Sequence, residues 1–495
     1  MALAETESNG ANHATVASDR PARLSEAKMY SALLASDPQY NGRFFTGVLT
    51  TGIYCLPSCS ARKPKQKNVR FFPNVEAARD AGLRPCKKCH PDDFARGADP
   101  VLESIEALVE EMRCNPASFA DTRALVRRSG YGATRLFELF RHHYHSTPAD
   151  LLLRARLEHA KERLLTANAR ISSVAYDVGF EALSAFHENF RKLNGLTPSV
   201  YRELPAASEF EIELPIGYPL NYLRRALSRD KHSVSERLEG DDYAAGVEWS
   251  GKPALLRMKL SAGSISAEFP RGRGVDAHET VLRLLGLQQD ASGFVRLAKR
   301  LGLARMTAGR EEMRITQTHS VFDGLMWSVI GQQINFPFAA SMRRRLIERC
   351  GHSVGSELYA PPTAEAVAGI SQAELLKLQF SRQKANYVLG IAKLVADGKL
   401  DVSRLRKASA TRAERTLLNV HGLGPWAVNY IMMRSLGFAD CVPLGDTGVS
   451  SGLQSLLKLE ERPNIDSVRR LMKVFSPYRS LATAHLWQFN QPIPV

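Results

Sequence analysis

Cys55 and Cys59 are separated by three residues, Cys86 and Cys89 by two, and 26 residues lie between the pairs. Two close pairs across a loop are how a chain sets four thiolates around Zn²⁺. Such a site can be a plain structural staple. It can also do chemistry, because four thiolates on one zinc carry a formal charge of about −2. Sulfurs in so electron-rich a site can be strong nucleophiles at neutral pH. Arg62, Lys63, Lys65, Lys67 and Arg70 follow the first pair, and Arg84, Lys87 and Lys88 frame the second. This basic collar would let an anionic sulfur approach a DNA backbone and would orient the sulfurs.

A second group of residues stands far along the chain, in "NVHGLGPWAVNYIMMRSLGFADCVPLGDTG" (419–448). The "HGLG" turn (421–424) can offer backbone N–H groups to a phosphate, because glycine permits close approach. The same pattern is also an ordinary helix C-cap. Asp446, in a glycine-rich loop, is a candidate carboxylate for stabilising positive charge, and equally a candidate N-cap.

These residues must be held by a large molecule. At 495 residues the chain predicts three or four domains. The net charge of +15 points to a polyanionic partner, nucleic acid first. No run of about 18 apolar residues is present to span a membrane. The start lacks the apolar core of a secretory signal, so residues 1–23 are expected to be a disordered arm and the location cytoplasmic. Seven cysteines, four of them in two pairs, argue against a disulfide framework; Cys114, Cys350 and Cys441 read as ordinary small residues.

Along the chain, a short cysteine-rich module occupies 24–95, and "PDDFARGADP" (91–100) is a plausible linker. Helical patterns fill 100–203, and "LPAASEFEIELP" (204–215) is a second candidate boundary. Short alternating segments over 209–280 predict a small antiparallel sheet. Helical periodicity then returns from about 279 and persists almost to the end, so the last module is 281–495. The fold class is therefore multidomain and mainly α, with α+β parts.

"TTGIYCLPSCSAR" with "GLRPCKKCHPDD" closely resembles the N-terminal domain of the Ada family of bacterial adaptive-response methyltransferase regulators, over 24–95. The resemblance implies a Zn²⁺ held by Cys55, Cys59, Cys86 and Cys89, with Cys55 accepting a methyl group irreversibly from a methylated DNA phosphate. A methylated thiolate is a neutral thioether, so the site loses a negative charge and its repulsion from DNA falls.

"RALVRRSGYGATRLFELFRHHYHSTPADLLLRARLEHA" (123–160) reads as helix–turn–helix, with Gly130 and Gly132 in the turn. A second copy follows at 171–202, with Gly179 in its turn. Either alone could be a helical hairpin. Together they resemble the AraC-type double helix–turn–helix over 100–203, most clearly in "VGFEALSAFHENFRKLNGLTPSVYR". Candidates for DNA contact are Ala133, Thr134 and Arg135 in the first copy and Ala182, Ser184 and His187 in the second. Arg141, Arg191 and Lys192 are candidates for phosphates.

"VFDGLMWSVIGQQI" (321–334), "HGLGPWAVNYIMMR" (421–434) and "SPYRSLATAHLW" (476–487) resemble the helix-hairpin-helix DNA glycosylases, and among them the AlkA type, over 209–495. The resemblance implies Asp446 as the catalytic aspartate, with Tyr430, Trp487 and Trp426 in the base pocket. Without it, these aromatics would read as core. It also implies Gln332 in the pocket and Gly422 and Gly424 in a phosphate-binding hairpin. Strand-cleaving members carry a Schiff-base lysine where this chain has Trp426, so a monofunctional enzyme is expected. The family's usual leucine wedge is absent: Gln333 stands at that position and Ile334 follows, and either could fill the gap.

The expected whole is a fused alkylation-response protein. It would accept a methyl group at Cys55, regulate transcription with RNA polymerase as target, and excise bases such as 3-methyladenine from double-stranded DNA. No "PCHR" motif is present for O6-alkylguanine repair. One alternative is a regulator whose last module is a non-catalytic DNA clamp. Another is a DNA-binding protein whose zinc is never methylated.

Overall fold

The computed structural model describes residues 24–491, apart from 38–39, 60, 98 and 167–168. The expected arm at 1–23 lies outside the described residues. The chain divides into two compact units, Met1–Ser104 and Ile105–Val495. No helix among the described residues is long and apolar enough to cross a membrane.

The first unit opens with helix α1 (Glu26–Ala35), capped by the Ser25 side chain, which accepts from the Lys28 N–H. Strands β1 (Phe45–Val48), β2 (Ile53–Cys55), β3 (Val69–Phe72) and β4 (Arg84–Pro85) form one sheet in the order β3-β1-β2-β4. Helices α2 (Val75–Asp80) and α3 (Pro91–Ala95) complete it. The stretch 91–100 expected as a linker therefore begins with a helical turn, started by Pro91 at its first position. The apolar core is small and split: Phe45, Tyr54, Leu56, Phe72, Val75 and Ala78 in one cluster, Ala32, Tyr40 and Phe44 in another. So few side chains leave the unit short of hydrophobic stabilisation, and something else must staple it.

Helix α4 (Pro100–Cys114) crosses the division. Two helix–turn–helix pairs follow: α5 (Thr122–Ser129) with α6 (Ala133–Tyr144), and α8 (Ile171–Asp177) with α9 (Leu183–Asn194). The long α7 (Pro148–Thr166) joins them and α10 (Pro198–Glu203) closes the set. Asp121 caps α5 by accepting from the Ala124 N–H, and Gly130 ends it in the left-handed region at φ 70°.

Strands β5 (Glu209–Glu213), β6 (Glu236–Glu239), β7 (Asp242–Trp249), β8 (Lys252–Ser261) and β9 (Ser264–Glu268) form an antiparallel sheet ordered β5-β9-β8-β7-β6. Helix α11 (Leu220–Leu227) lies between β5 and β6 in sequence. Burial alternates along β5 and β8, as a half-covered sheet requires. Helices α12 (Gly274–Leu285) and α13 (Ala291–Arg300) lead to α14 (Val321–Ile330) and α15 (Phe336–Cys350).

Helical pattern does not then run unbroken. A hairpin of β10 (His352–Gly355) and β11 (Leu358–Ala360) intervenes and packs on β7, with the Tyr359 N–H donating to the Val234 carbonyl at 2.8 Å. Strands this short carry too few residues for a period to show. The rest is helical: α16 (Ala364–Ala368), α17 (Gln372–Lys377), α18 (Arg382–Ala396), α19 (Val402–Lys407), α20 (Ala410–Leu418), α21 (Pro425–Arg434), α22 (Thr447–Leu457), α23 (Ile465–Met472) and α24 (Arg479–Phe489).

The candidate boundary at 204–215 is packed rather than loose. Leu204, Phe210, Ile212 and Leu214 share one apolar cluster with Phe186, Phe190 and Tyr201 of the helix–turn–helix region and Leu256 of β8. His278 of α12 meets the Asn194 carbonyl at 2.6 Å and lies 5.3 Å from the Tyr201 ring. At the other end, α6 packs on α20. There His143 Nδ1 and the Thr411 hydroxyl are 2.9 Å apart, and Arg412 pairs with Glu106 of α4 at 2.5 Å. The Asp440 N–H donates to His145 Nδ1 at 3.2 Å.

Candidate functional site

The first site arises from strand order. β2 and β4 run parallel, with Ile53 opposite Arg84 and Tyr54 opposite Pro85. β2 ends in Cys55 and Cys86 follows β4 directly, so the two cysteines emerge side by side at one edge. A turn after Cys55, closed by the Cys59 N–H donating to the Leu56 carbonyl at 3.0 Å, returns Cys59 to the same point. The four Sγ atoms all lie within 4.8 Å of one another. A tetrahedral zinc with Zn–S bonds of about 2.3 Å needs sulfurs about 3.8 Å apart, a spacing inside that limit.

The electrostatics give the same answer. Hydrogen bonding with Cys59 and Cys89 pushes the Cys55 thiol far up, while the same contact with Cys55 pulls Cys59 far down. Four sulfurs this close cannot all be thiolates without a cation among them. Zn²⁺ removes that conflict, and the donor set is the one it prefers. Backbone N–H groups support the sulfurs: Leu56 donates to Cys89 at 3.3 Å and Lys88 to Cys86 at 3.4 Å.

Of the basic collar, Arg62, Lys65, Lys67, Arg70, Arg84, Lys87 and Lys88 are exposed. Lys63 is turned inward and donates to the Cys59 carbonyl at 2.6 Å, so it braces the zinc loop. One supporting residue carries no motif. Tyr54, fully buried beside Cys55, donates from its hydroxyl to Asp92, which Arg79 also holds at 2.5 Å.

In the helix–turn–helix pairs, Ala133, Thr134 and Arg135 sit exposed on the first turn of α6. Arg135 is paired with Glu138 at 3.2 Å, and Arg141 lies over the Phe137 ring. Ala182 and Ser184 are exposed at the start of α9, whereas His187 is half-buried, 5.7 Å from the Phe186 ring. Lys192 is exposed, and Arg191 is paired with Glu213 of β5.

The second site is a cluster of side chains brought together from distant segments. Asp446 is the N-cap of α22 and accepts from the Val449 N–H at 3.0 Å through Oδ1. Two indoles address the same carboxylate: Trp487 Nε1 donates to Oδ1 at 2.8 Å and Trp426 Nε1 to Oδ2 at 3.3 Å. Of the two roles open to Asp446 in the sequence, the N-cap is the one this geometry displays. Gly448 makes room, since a Cβ there would stand 2.7 Å from the Trp487 ring. Tyr430 is stacked on Trp426 with centroids 5.4 Å apart, and Trp487 lies 6.2 Å from Tyr430.

Trp327 extends this wall. Its Nε1 donates to the Tyr430 hydroxyl at 3.1 Å and its ring meets Phe336 edge-on at 5.7 Å. Sequence reasoning passed over Trp327 and Phe336 because each looks like a core aromatic; only the shared neighbour Tyr430 marks them.

The hairpin stands beside these side chains. Gly422 adopts φ 96° and presses against Tyr387, where a Cβ would clash at 2.4 Å. Gly424 caps the start of α21 and faces open space. Gln332 donates from Nε2 to the Gly422 carbonyl at 2.9 Å, so it ties the 331–335 loop to the hairpin. Lys384 clamps the same loop from Nζ to the Ile330 and Gln332 carbonyls. Gln333 projects from that loop, exposed and in the left-handed region at φ 56°, while Ile334 packs on the core.

Three family models match the chain in order: the metal binding domain of Ada over residues 28–92, a helix-turn-helix domain over 125–204, and the HhH-GPD superfamily of base excision DNA repair proteins over 326–477. The chain is 26% identical to a probable bifunctional transcriptional activator/DNA repair enzyme AlkA of Mycobacterium tuberculosis, over 93% of this chain and 95% of that protein. It is 30% identical to the bifunctional transcriptional activator/DNA repair enzyme AdaA of Bacillus subtilis, over 36% of this chain and 84% of that one. A DNA-3-methyladenine glycosylase of Bacillus subtilis is 31% identical over 41% of this chain and 68% of its own length. With a four-cysteine site, a double helix–turn–helix and an HhH-GPD domain in that order, the chain belongs to the family of bifunctional Ada- and AlkA-type proteins, which join a transcriptional activator to an HhH-GPD DNA glycosylase.

Proposed function

We propose that this protein repairs alkylated DNA in two ways and reports one of them. Its second unit hydrolyses the N-glycosidic bond of alkylated bases such as 3-methyladenine. The observation that carries this reading is the Asp446 carboxylate, held by two indole N–H donors at the edge of an aromatic cluster.

A base alkylated at N3 or N7 is cationic, and aromatic faces attract it. Tyr430, Trp426 and Trp487 supply those faces. As the C1′–N bond breaks, its electron pair returns to the base, which leaves neutral. Positive charge grows on the sugar, and the Asp446 carboxylate stabilises it. The attacking water forms the new C1′–O bond and gives up its proton, which Asp446 can receive. The indole donors hold the carboxylate in place, so no reorganisation is needed as the charge develops. With Trp426 where strand-cleaving members have lysine, the product is an intact abasic site. Gln333, the exposed tip of its loop, takes the space left by the extruded nucleotide.

In the first unit, bound zinc keeps the sulfurs deprotonated and held. Cys55 Sγ attacks the methyl carbon of a methylated phosphate; the S–C bond forms and the C–O bond breaks with its pair on the phosphate oxygen. The exposed collar of Arg62, Lys65 and Lys67 holds the backbone. Loss of one negative charge then favours promoter binding through α6 and α9, with RNA polymerase as the activated target.

Base release from methylated duplex DNA by the intact protein and by Asp446→Asn tests the main reading. The variant should lose about three orders of magnitude in rate, the scale of a preorganised electrostatic group. No release by the intact protein would favour the DNA-clamp alternative. Mass spectrometry of the intact chain after exposure to phosphate-methylated DNA should find one methyl group on Cys55; an unmodified Cys55 would leave the zinc site purely structural.

A further inference from the structure

Helix α13 presents three exposed cations on one face: Lys299 and Arg300 follow Arg296 by three and four residues. With Gly293 and Tyr478 they line an open hollow of about 400 Å³. None of the three forms an ion pair with a carboxylate among the described residues, and Arg296 reaches only the Ser292 hydroxyl, at 3.2 Å. Asp290, the acid that Arg296 senses, is already committed. Its Oδ1 caps α13, accepting from the Gly293 N–H at 2.9 Å and the Ser292 hydroxyl at 3.0 Å. Its Oδ2 accepts from the Tyr478 hydroxyl at 2.9 Å. A helix C-terminus favours cations in its last turn, which accounts for Lys299 and Arg300. It does not account for Arg296 one turn earlier, where like charges three and four residues apart repel. A face of this kind fits a polyanion.

The hollow lies where the reader meets the repair half. Helix α6 ends at His145, whose Nδ1 accepts from the Asp440 N–H at 3.2 Å and whose ring meets Phe438 edge-on at 5.6 Å. Asp440 in turn accepts from the Ser476 hydroxyl at 2.8 Å and from Arg479 Nε at 2.7 Å. Ser476 and Arg479 bracket Tyr478, whose hydroxyl holds Asp290 at the start of α13. Arg154 of α7 donates to the Gln288 carbonyl, just ahead of Asp290, at 2.6 Å. The end of α6 and the start of α13 are thus fixed to the same segment, 476–479. Arg141, one turn before the end of α6, lies over the Phe137 ring at 5.3 Å, and its charge is felt at Tyr478. The Asp446 site is elsewhere. Tyr478 precedes α24, and Trp487, which donates to Asp446, lies about 13 Å further along that helix at 1.5 Å per residue.

We propose that the Arg296–Lys299–Arg300 face of α13 is a phosphate-binding ledge of the reader. The backbone of the duplex that α6 reads continues across it, so the repair half supplies part of the promoter-binding surface. This rests on the reading of α6 and α9 as the promoter reader. Helix α6 has 12 residues and is about 18 Å long, whereas the major groove is about 12 Å wide. With its first turn at the base edges, its other end reaches the flanking backbone. Arg141 stands at that end and the ledge adjoins it. Contacts to phosphates alone add affinity and fix the register, and they carry no sequence preference.

The test uses the full-length protein and a duplex it selects from a random pool after exposure to phosphate-methylated DNA. Kd for that duplex is measured between about 50 and 200 mM salt. The triple variant Arg296→Gln, Lys299→Gln, Arg300→Gln should raise Kd at least about tenfold and reduce the slope of log Kd against log salt by about two to three, at roughly 0.9 per phosphate contact. Hydroxyl-radical protection of the duplex should shorten on one flank only. The selected sequence, the denaturant midpoint and base release from alkylated duplex should not change. An unchanged footprint and salt slope would overturn the proposal and leave the reader in place. A KM for base release raised as much as the Kd would overturn it by assigning the ledge to the lesion-bearing duplex. Failure of the unmodified protein to select any sequence would remove the reader reading and the proposal together.

Discussion

The cysteine cluster and the Asp446 site solve one problem, fixing charged groups in place, by opposite means. In the first, like groups are crowded until only a metal relieves them, and the four ligands span 35 positions, Cys55 to Cys89. In the second, one carboxylate is fixed by neutral donors on two other helices, and its indole partners, Trp426 and Trp487, lie 20 and 41 residues away. The cluster has only two small apolar clusters behind it, whereas the Asp446 site rests on the largest core among the described residues. The cluster therefore depends on its metal for its fold, and the Asp446 site depends on packing.

Zinc removal should break this contrast most severely. Chelation should cost the first unit about 10 kcal/mol of folding free energy, the scale of a structural zinc site. Amide exchange should then lose protection across β1–β4 and keep it in α14 and α21. Retained protection in β1–β4 would show that so small an apolar core suffices.

A smaller effect is expected from Trp487→Phe, which deletes one N–H donor to Asp446 and keeps an aromatic face. Loss of a hydrogen bond to a charged group is worth about 1.5–3 kcal/mol, or roughly 10- to 150-fold in rate. Single-turnover base release should fall by that factor with little change in affinity for undamaged duplex. An unchanged rate would mean that Trp426 alone fixes the carboxylate.

The smallest effect concerns pH. Burial lowers His278 to about 4 and His485 to about 3. Both are less basic folded than unfolded, so the unfolded chain binds more protons below pH about 6.5. The second unit should keep full stability above that pH and lose it progressively down to about pH 3. Denaturant midpoints of the second unit measured at pH 7.5 and 5.5 should show the fall, and a flat profile would contradict the burial of these rings.

The two regions were also unequally legible in the sequence. Four cysteines at short spacings declare a zinc site because the ligand residues themselves are the signal. Asp446, Tyr430 and Trp487 acquired meaning through resemblance, since a loop aspartate and two helix aromatics have commoner uses. Trp327, Phe336 and the Tyr54–Asp92–Arg79 set gave no signal, because their roles exist only once distant segments meet. Lys63 reads as collar but braces a loop from within, and Gln332 reads as pocket but ties two loops together. In each case a residue type predicts what a side chain can do and not which neighbour it will reach. The β10–β11 hairpin was hidden for a simpler reason: three or four residues cannot display a period.

The cluster joining Tyr201 and Leu204 to Phe210, Ile212 and Leu256 has a practical consequence. The most inviting place to sever the reader from the repair half is the proline-flanked stretch after Glu203. A cut there divides a core rather than a tether, and each half would be left with a raw apolar face. Fragments meant to stand alone should instead be taken just ahead of α4, close to the division at Ser104, which keeps the reader and the glycosylase in one piece.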